Sequence, residues 1–363
     1  TLPEWVWAHP RESGPVPGRV RSGSRPMKVP QHVQPVEWSA QALSQWAHDI
    51  GMTTGAPLSE RLAAVGSLRT RLEATETPLS NGLIEQLWLA MRDLILPDQP
   101  REAQQEALGL LCALLQAPRE QLSDTNRAII FGVIKGHETP EHIPLLLDIF
   151  RLLTDNCTEI AYLEASVGEF LLEVFPETLR FKCFHNLLWL IHRMFQAHVH
   201  ALDPPSVLDV LACVCHACSI SFEPVDIHGC LAVMDALIQS DCLSPPHLSP
   251  LLMTLCRTAQ VDQFNAPCLA LTEAIMNKSP RLGLHCVNTL CALLSEPQHQ
   301  TAINLLRGAV FMLSHAGWGN MVLGTVELKP AYVLPAFFVA AEYQHAEVTF
   351  EVVLSLNTLA QKP

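Results

Sequence analysis

Proline recurs along most of this chain at intervals of about twenty residues, at Pro57, Pro78, Pro97, Pro118, Pro140, Pro176, Pro204, Pro224, Pro245, Pro267, Pro280, Pro297 and Pro330. Proline lacks an amide donor and clashes with the preceding helical turn, so each of these positions is predicted to punctuate regular structure. Between them lie apolar stretches whose hydrophobic positions recur at helical spacing. Phe184, Leu187, Leu188, Ile191, Met194 and Phe195 form one such series, and Leu83, Leu87, Met91, Leu94 and Ile95 another. Strand signals, meaning period-two alternation closed by Asn-Gly or Asp-Gly, are nearly absent. Polar N-cap candidates stand where the helices should begin: Ser123 with Asp124, Asp203 before Pro204 and Pro205, and Ser244 before Pro245 and Pro246. The pattern predicts an all-α chain.

Two helices with two breaks make a unit of about 40 residues, the period of HEAT and armadillo repeats. From Trp38 to the last residue, Pro363, the prediction is therefore an α-solenoid of roughly seven or eight helix pairs. Composition agrees with stacking. Charged residues make up 16% of the chain and apolar ones 49%, a balance expected of helices covered on more than one side. The final predicted helix, Ala346 to Ala360, carries Val348, Phe350, Val353, Leu354 and Leu359, which we expect on its surface as at a fragment boundary.

Residues 1 to 37 have a different character. They hold seven prolines, five basic and three acidic residues, whereas the remainder holds 18 basic and 33 acidic ones. The expectation is a flexible, proline-rich basic arm ahead of an acidic body. The net charge of −13 repels phosphate backbones, so nucleic acid is not an expected partner. The longest apolar run, Val207 to Phe222, contains Asp209 and His216 and is too short to span a bilayer, and the first residues lack a secretory pattern. A cytoplasmic chain follows as the expectation, with its twelve cysteines reduced and acting as small hydrophobes.

Motifs that would carry chemistry fail on spacing. His137 and His142 are five apart with Pro140 between them, not four apart on one helical face. Cys213 and Cys215 project about 200° apart on a helix, which leaves Cys215 and Cys218 as a core-facing pair. Gly317, Gly319 and Gly324 lack the third glycine of a dinucleotide loop, Val322 standing in its place after a predicted helix from Thr301 to His315. No cofactor, metal site or catalytic group is expected. Arg257 and Arg307 are lone cations in apolar helices, and each is predicted to find an internal carboxylate or to meet a partner.

Several strings then become specific together. Leu305-Leu306-Arg307-Gly308-Ala309-Val310-Phe311 followed by Trp318-Gly319 resembles the N-terminal helical domain of the tuberin family. So do Leu153-Thr154-Asp155-Asn156 with Tyr162-Leu163-Glu164, Thr254-Leu255-Cys256-Arg257-Thr258 with Pro267-Cys268, Val333-Leu334-Pro335, and Glu351 to Ser355. The resemblance spans roughly residues 38 to 360. It implies a HEAT-type scaffold that binds the coiled coil of hamartin. It implies further that the assembled complex acts as a GTPase-activating protein toward Rheb, restrains TOR signalling, and is recruited from the cytoplasm to lysosomal or vacuolar membranes. The activating domain of that family lies in the remainder of tuberin, C-terminal to the matched region, so Rheb would be reached only through it. Candidate partner contacts are Arg307, Arg257, Trp318 and Asn156. The alternative is a generic helical-repeat adaptor for trafficking or membrane coats.

Overall fold

The computed structural model describes residues 40–52, 55–74, 78–120, 122–317, 322–323 and 326–361. The arm expected over residues 1 to 37 lies outside them. The described residues contain sixteen α-helices and divide into two compact units, residues 40–162 and 163–361.

The first unit contains α1 (Ala40–Ile50), α2 (Leu58–Glu73), α3 (Asn81–Met91), α4 (Arg101–Gln116), α5 (Asp124–Lys135) and α6 (Ile143–Leu153). Alternate helices stack, α1 on α3 and α2 on α4 and α4 on α6, as in a two-layered solenoid. Its core includes Leu68, Leu87, Met91, Leu111 and Phe150, all withdrawn from water. Long polar side chains tie successive helices to one another. Arg61 donates through Nε to the carbonyl of Ile50 (2.6 Å) and pairs with Asp93 (2.8 Å). Arg119 reaches the carbonyl of Leu152 (2.9 Å), and buried Arg127 meets Asp124 and Glu159.

The second unit contains α7 (Glu164–Arg180), α8 (Phe184–His198), α9 (Pro204–Ile220), α10 (Pro224–Gln239), α11 (Pro245–Thr258), α12 (Asp262–Lys278), α13 (Pro280–Ser295), α14 (Ile303–His315), α15 (Leu334–Glu342) and α16 (Ala346–Ala360). Stacking again skips one helix: α7 on α9, α8 on α10, α9 on α11, α11 on α13, α14 on α16. The repeat period is written into the hydrogen bonds. His192 meets the carbonyl of Ala232, Cys218 meets Thr258, Lys278 donates to the carbonyl of Ile238, Thr272 donates to Met312, and Arg307 donates to Glu347, each pair forty residues apart. The period of about 40 inferred from the proline breaks is thus a physical spacing. Each unit is a stretch of α-solenoid.

Helix starts follow the predicted chemistry. Proline occupies the first position of α9, α10, α11 and α13, where its missing amide is harmless. The side chains of Ser123, Asp203 and Ser279 accept from the amides of Asn126, Ser206 and Leu282. At Ser244 the cap also runs in reverse, the Ser244 amide donating to Nδ1 of His247 (3.1 Å).

Three corrections concern local structure. Pro176 and Pro267 were predicted as breaks but lie inside α7 and α12, and Pro250 lies inside α11. Each is flanked by buried residues, Phe175 and Thr178, Phe264 and Cys268, or Leu248 and Leu251. Packing on both sides offsets the cost of about 3 kcal/mol that an interior proline carries. Helix α16 also hides more than expected, with Val348, Val352 and Leu359 buried and only Phe350, Val353 and Leu354 exposed. Finally, α14 begins at Ile303 rather than Thr301, and a small antiparallel pair, β1 (Val322–Leu323) and β2 (Val326–Glu327), sets Val322 opposite Glu327.

Candidate functional site

The site begins with a glycine. Gly308 in α14 lies so close to α11 that a Cβ built on it would stand 2.0 Å from the Cys256 carbonyl oxygen. Only the absence of a side chain lets the two backbones touch. The neighbours of these two residues are Arg307 and Arg257, so the contact brings both predicted arginines to adjoining helices.

Their fates differ. Arg307 donates through Nη1 to Oε2 of Glu347 on α16 (3.1 Å), the internal pairing expected for it. Its Nε is buried without an acceptor. The guanidinium of Arg257 makes no ion pair or hydrogen bond among the described residues and is exposed, so the expected internal partner is missing there. The repeat geometry explains this. Forty residues beyond Arg307 stands Glu347, whereas forty beyond Arg257 stands Pro297, and the adjacent Glu296 faces His299 (3.5 Å).

Arg257 and Glu347 line a groove of about 700 Å³ where several helices of the second unit end or begin. Cys218 and Phe222 come from the end of α9 and the residues after it, Val261 follows α11, and Asn304 opens α14. Phe222 is 96% exposed and Val261 48%. Nothing in the periodicity singled out these two, because both fall in breaks between helices. The available signal was position: an aromatic residue directly before the Glu-Pro start of a helix belongs to neither helix's buried stripe.

Buried thiols lie at and behind the floor. Cys218 lies 3.7 Å from the Thr258 hydroxyl. A hydrogen bond from Cys230 draws the Cys218 thiol below its ordinary pKa against the opposite pull of burial, while burial and the same bond push Cys230 well up. Burial pushes Cys215 up to about 12 and raises Cys256, Cys268 and Cys286 as well. The thiols that burial raises pack as small hydrophobes. Cys215 and Cys218 face the core and Cys213 is partly exposed, as the helical angle required.

The remaining candidates fall elsewhere. In the first unit the rings of His137 and His142 stack, with Nε2 and Nδ1 2.8 Å apart. Two nitrogens on one tetrahedral zinc would stand about 3.3 Å apart, so this direct contact is not a ligand geometry. Burial, then the neighbouring His142, lowers the pKa of His137 to about 4. Asn156 belongs to a left-handed turn, Asp155 to Cys157 having φ of 48°, 57° and 65°. Its side chain accepts from Arg151 (3.2 Å) and its amide donates to the Arg151 carbonyl (2.8 Å), so Asn156 closes the loop after α6. Trp318 lies outside the described residues.

The family described as Domain of unknown function (DUF3384) matches residues 58–363. The chain belongs to the DUF3384 family. The solved structure of the TSC2 N-terminus shares this DUF3384 fold with a TM-score of 0.76 over 89% of this chain and 82% of that one, at 16% identity. The tuberin-type resemblance is therefore matched at the level of fold. An engineered protein matches 90% of this chain and 92% of its own at a TM-score of 0.39 and 12% identity, too loose a likeness to bear on the fold. Among the described residues no helix is long and apolar enough to cross a membrane.

Proposed function

We propose that this tuberin-like DUF3384 domain is a non-catalytic scaffold that binds the hamartin coiled coil. Through that contact it helps assemble the GTPase-activating complex for Rheb and so restrains TOR signalling. The observation that carries the reading is the groove at the helix ends of the second unit, on a fold shared with the TSC2 N-terminus. There an unpaired Arg257 stands beside the exposed apolar side chains of Phe222 and Val261. Such a surface supports helix docking, with apolar and arginine anchors, more than it supports turnover.

On this reading the remainder of tuberin is a second partner and brings the activating residues. The domain itself resides in the cytoplasm and reaches lysosomal or vacuolar membranes only as part of the complex. Calorimetric titration of the chain with hamartin coiled-coil fragments tests it. Saturable binding is expected, together with no stimulation of GTP hydrolysis when the chain is mixed with Rheb. Activating residues raise that rate by roughly 10³–10⁵, so a stimulus would be seen easily. No heat of association with any part of the coiled coil defeats the proposal.

A further inference from the structure

The groove of the second unit is short of negative charge. Two guanidinium groups stand on helices whose backbones touch, and among the described residues Glu347 is the one carboxylate in the lining. That carboxylate already pairs with Arg307, whose Nε–H has no acceptor even so. Arg257 has no partner among the described residues, although it sits beside apolar surface where an exposed cation gains little from water that a carboxylate would not improve. Beside it Phe222 and Val261 present bare hydrocarbon. The groove therefore asks for two things at once, a negative charge and apolar cover.

The backbone of the occupant can be argued too. Every lining element is a helix end or the turn beside it, and none is a strand edge. An extended peptide would find no ladder of amides and carbonyls, whereas a helix arrives with its own backbone bonds made. A phosphate-bearing ligand is disfavoured by Glu347 in the lining and by the net charge of −13. We infer that the groove seats an amphipathic helix of a partner protein that carries a single Glu or Asp within its apolar stripe, the carboxylate pairing with Arg257 and its apolar neighbours covering Phe222 and Val261. The inference rests on the scaffold reading and adds which side chain the partner must bring.

Fluorescence anisotropy of the full chain with two labelled helical peptides tests it. One peptide carries leucines at i, i+3 and i+7 with Glu at i+4, and the other has Gln in place of that Glu. The Glu peptide is expected to bind about tenfold more tightly. Arg257→Gln should erase the difference, and Phe222→Ser should weaken both peptides alike, while Phe350→Ser, on the exposed face of α16, should change neither. All three side chains are exposed, so circular dichroism should show an unaltered fold. Equal affinity of the two peptides, or a preference that survives Arg257→Gln, overturns the inference. Hamartin coiled coil that binds wild type and Arg257→Gln equally also overturns it and leaves the scaffold reading standing. A Glu preference erased by Arg257→Gln, in a chain that ignores hamartin, sustains the groove and removes the scaffold reading.

Discussion

The two units solve the same stacking problem with different chemistry. In the first, the polar links between helices span 32 residues from Arg61 to Asp93, 33 from Arg119 to Leu152, 35 from Gln104 to Thr139 and 40 from Arg101 to Glu141. In the second, links of 40 recur from α8 to α16, beside longer ones of 41 to 49 residues toward its last helices, and small groups make some of the forty-residue links, Thr272 to Met312 and Cys218 to Thr258. Ten of the twelve cysteines belong to the second unit, while the buried cations Arg61 and Arg127 belong to the first. A regular repeat brings neighbouring helices to a constant distance that a hydroxyl or thiol can bridge. An irregular one leaves variable gaps, which long arginine side chains fill at the cost of desolvating a charge.

The contrast breaks most sharply at glycine. Gly308→Val in the second unit must push α14 off the α11 backbone, because the obstructing atom is a carbonyl rather than a movable side chain. We expect a loss of more than about 3 kcal/mol in urea denaturation. Gly132→Ala in the first unit meets nothing within 4 Å. It should gain about 0.5–1 kcal/mol by favouring the helix. Equal responses at the two positions would mean that the close helix approach is not what Gly308 provides.

Next in size is the buried arginine. Arg61→Ala leaves the Ile50 carbonyl and Asp93 without their donor in a place where the arginine side chain is 8% exposed. The expected cost is about 2–4 kcal/mol by the same denaturation measurement. Arg61→Lys should recover little of it, since one ammonium cannot serve a carbonyl and both carboxylate oxygens in the forked geometry seen here. Full rescue by lysine would show that charge alone matters and would weaken the account of arginine as a gap-filling strut.

What the sequence made legible follows the same division. Helical period, polar caps and proline at first helical positions are local properties, and they placed α9 and α11 at their true starts. The forty-residue period was readable because breaks recur, and so was the inward turn of Cys215 and Cys218. Pro176 and Pro267 misled because a proline's local cost is visible in sequence, whereas the flanking burial that outweighs it is not. Arg257 and Arg307 looked alike because both are single cations in apolar helices. Only the register of the stack, with Glu347 at one site and Pro297 at the other, separates them. Phe222 and Val261 were silent for a related reason, being turn residues whose exposure depends on how five helix ends are arranged.

Acid should test the first unit through its histidine pair. In the unfolded chain His137 titrates near the ordinary 6.5, whereas folding lowers its pKa to about 4 through burial and the facing His142. The unfolded state therefore binds more protons between those values, and stability falls as pH drops from 6.5 toward 4. His142, His192, His228 and His247 are lowered as well, so both units share the direction. His137→Gln should flatten part of the melting-temperature profile between pH 6.5 and 4 and leave pH 8 nearly unchanged. An unaltered slope would assign the acid sensitivity to the other lowered histidines instead.

The smallest expected effect separates structure from recognition. Arg307 pairs with Glu347 across the groove's edge, but Glu347 has a side chain 64% exposed, so water already serves the carboxylate and screens the pair. Arg307→Ala should therefore cost less than about 1 kcal/mol of stability. Its larger consequence is electrostatic: Glu347 would be left as an uncompensated anion in the same lining as Arg257, which cancels the groove's surplus positive charge. Binding of an acidic amphipathic helix should weaken although the fold is intact. Loss of folding instead would place Arg307 among the struts, alongside Arg61 and Arg127, and would erase the distinction between a unit held by arginines and one that keeps its arginines for a partner.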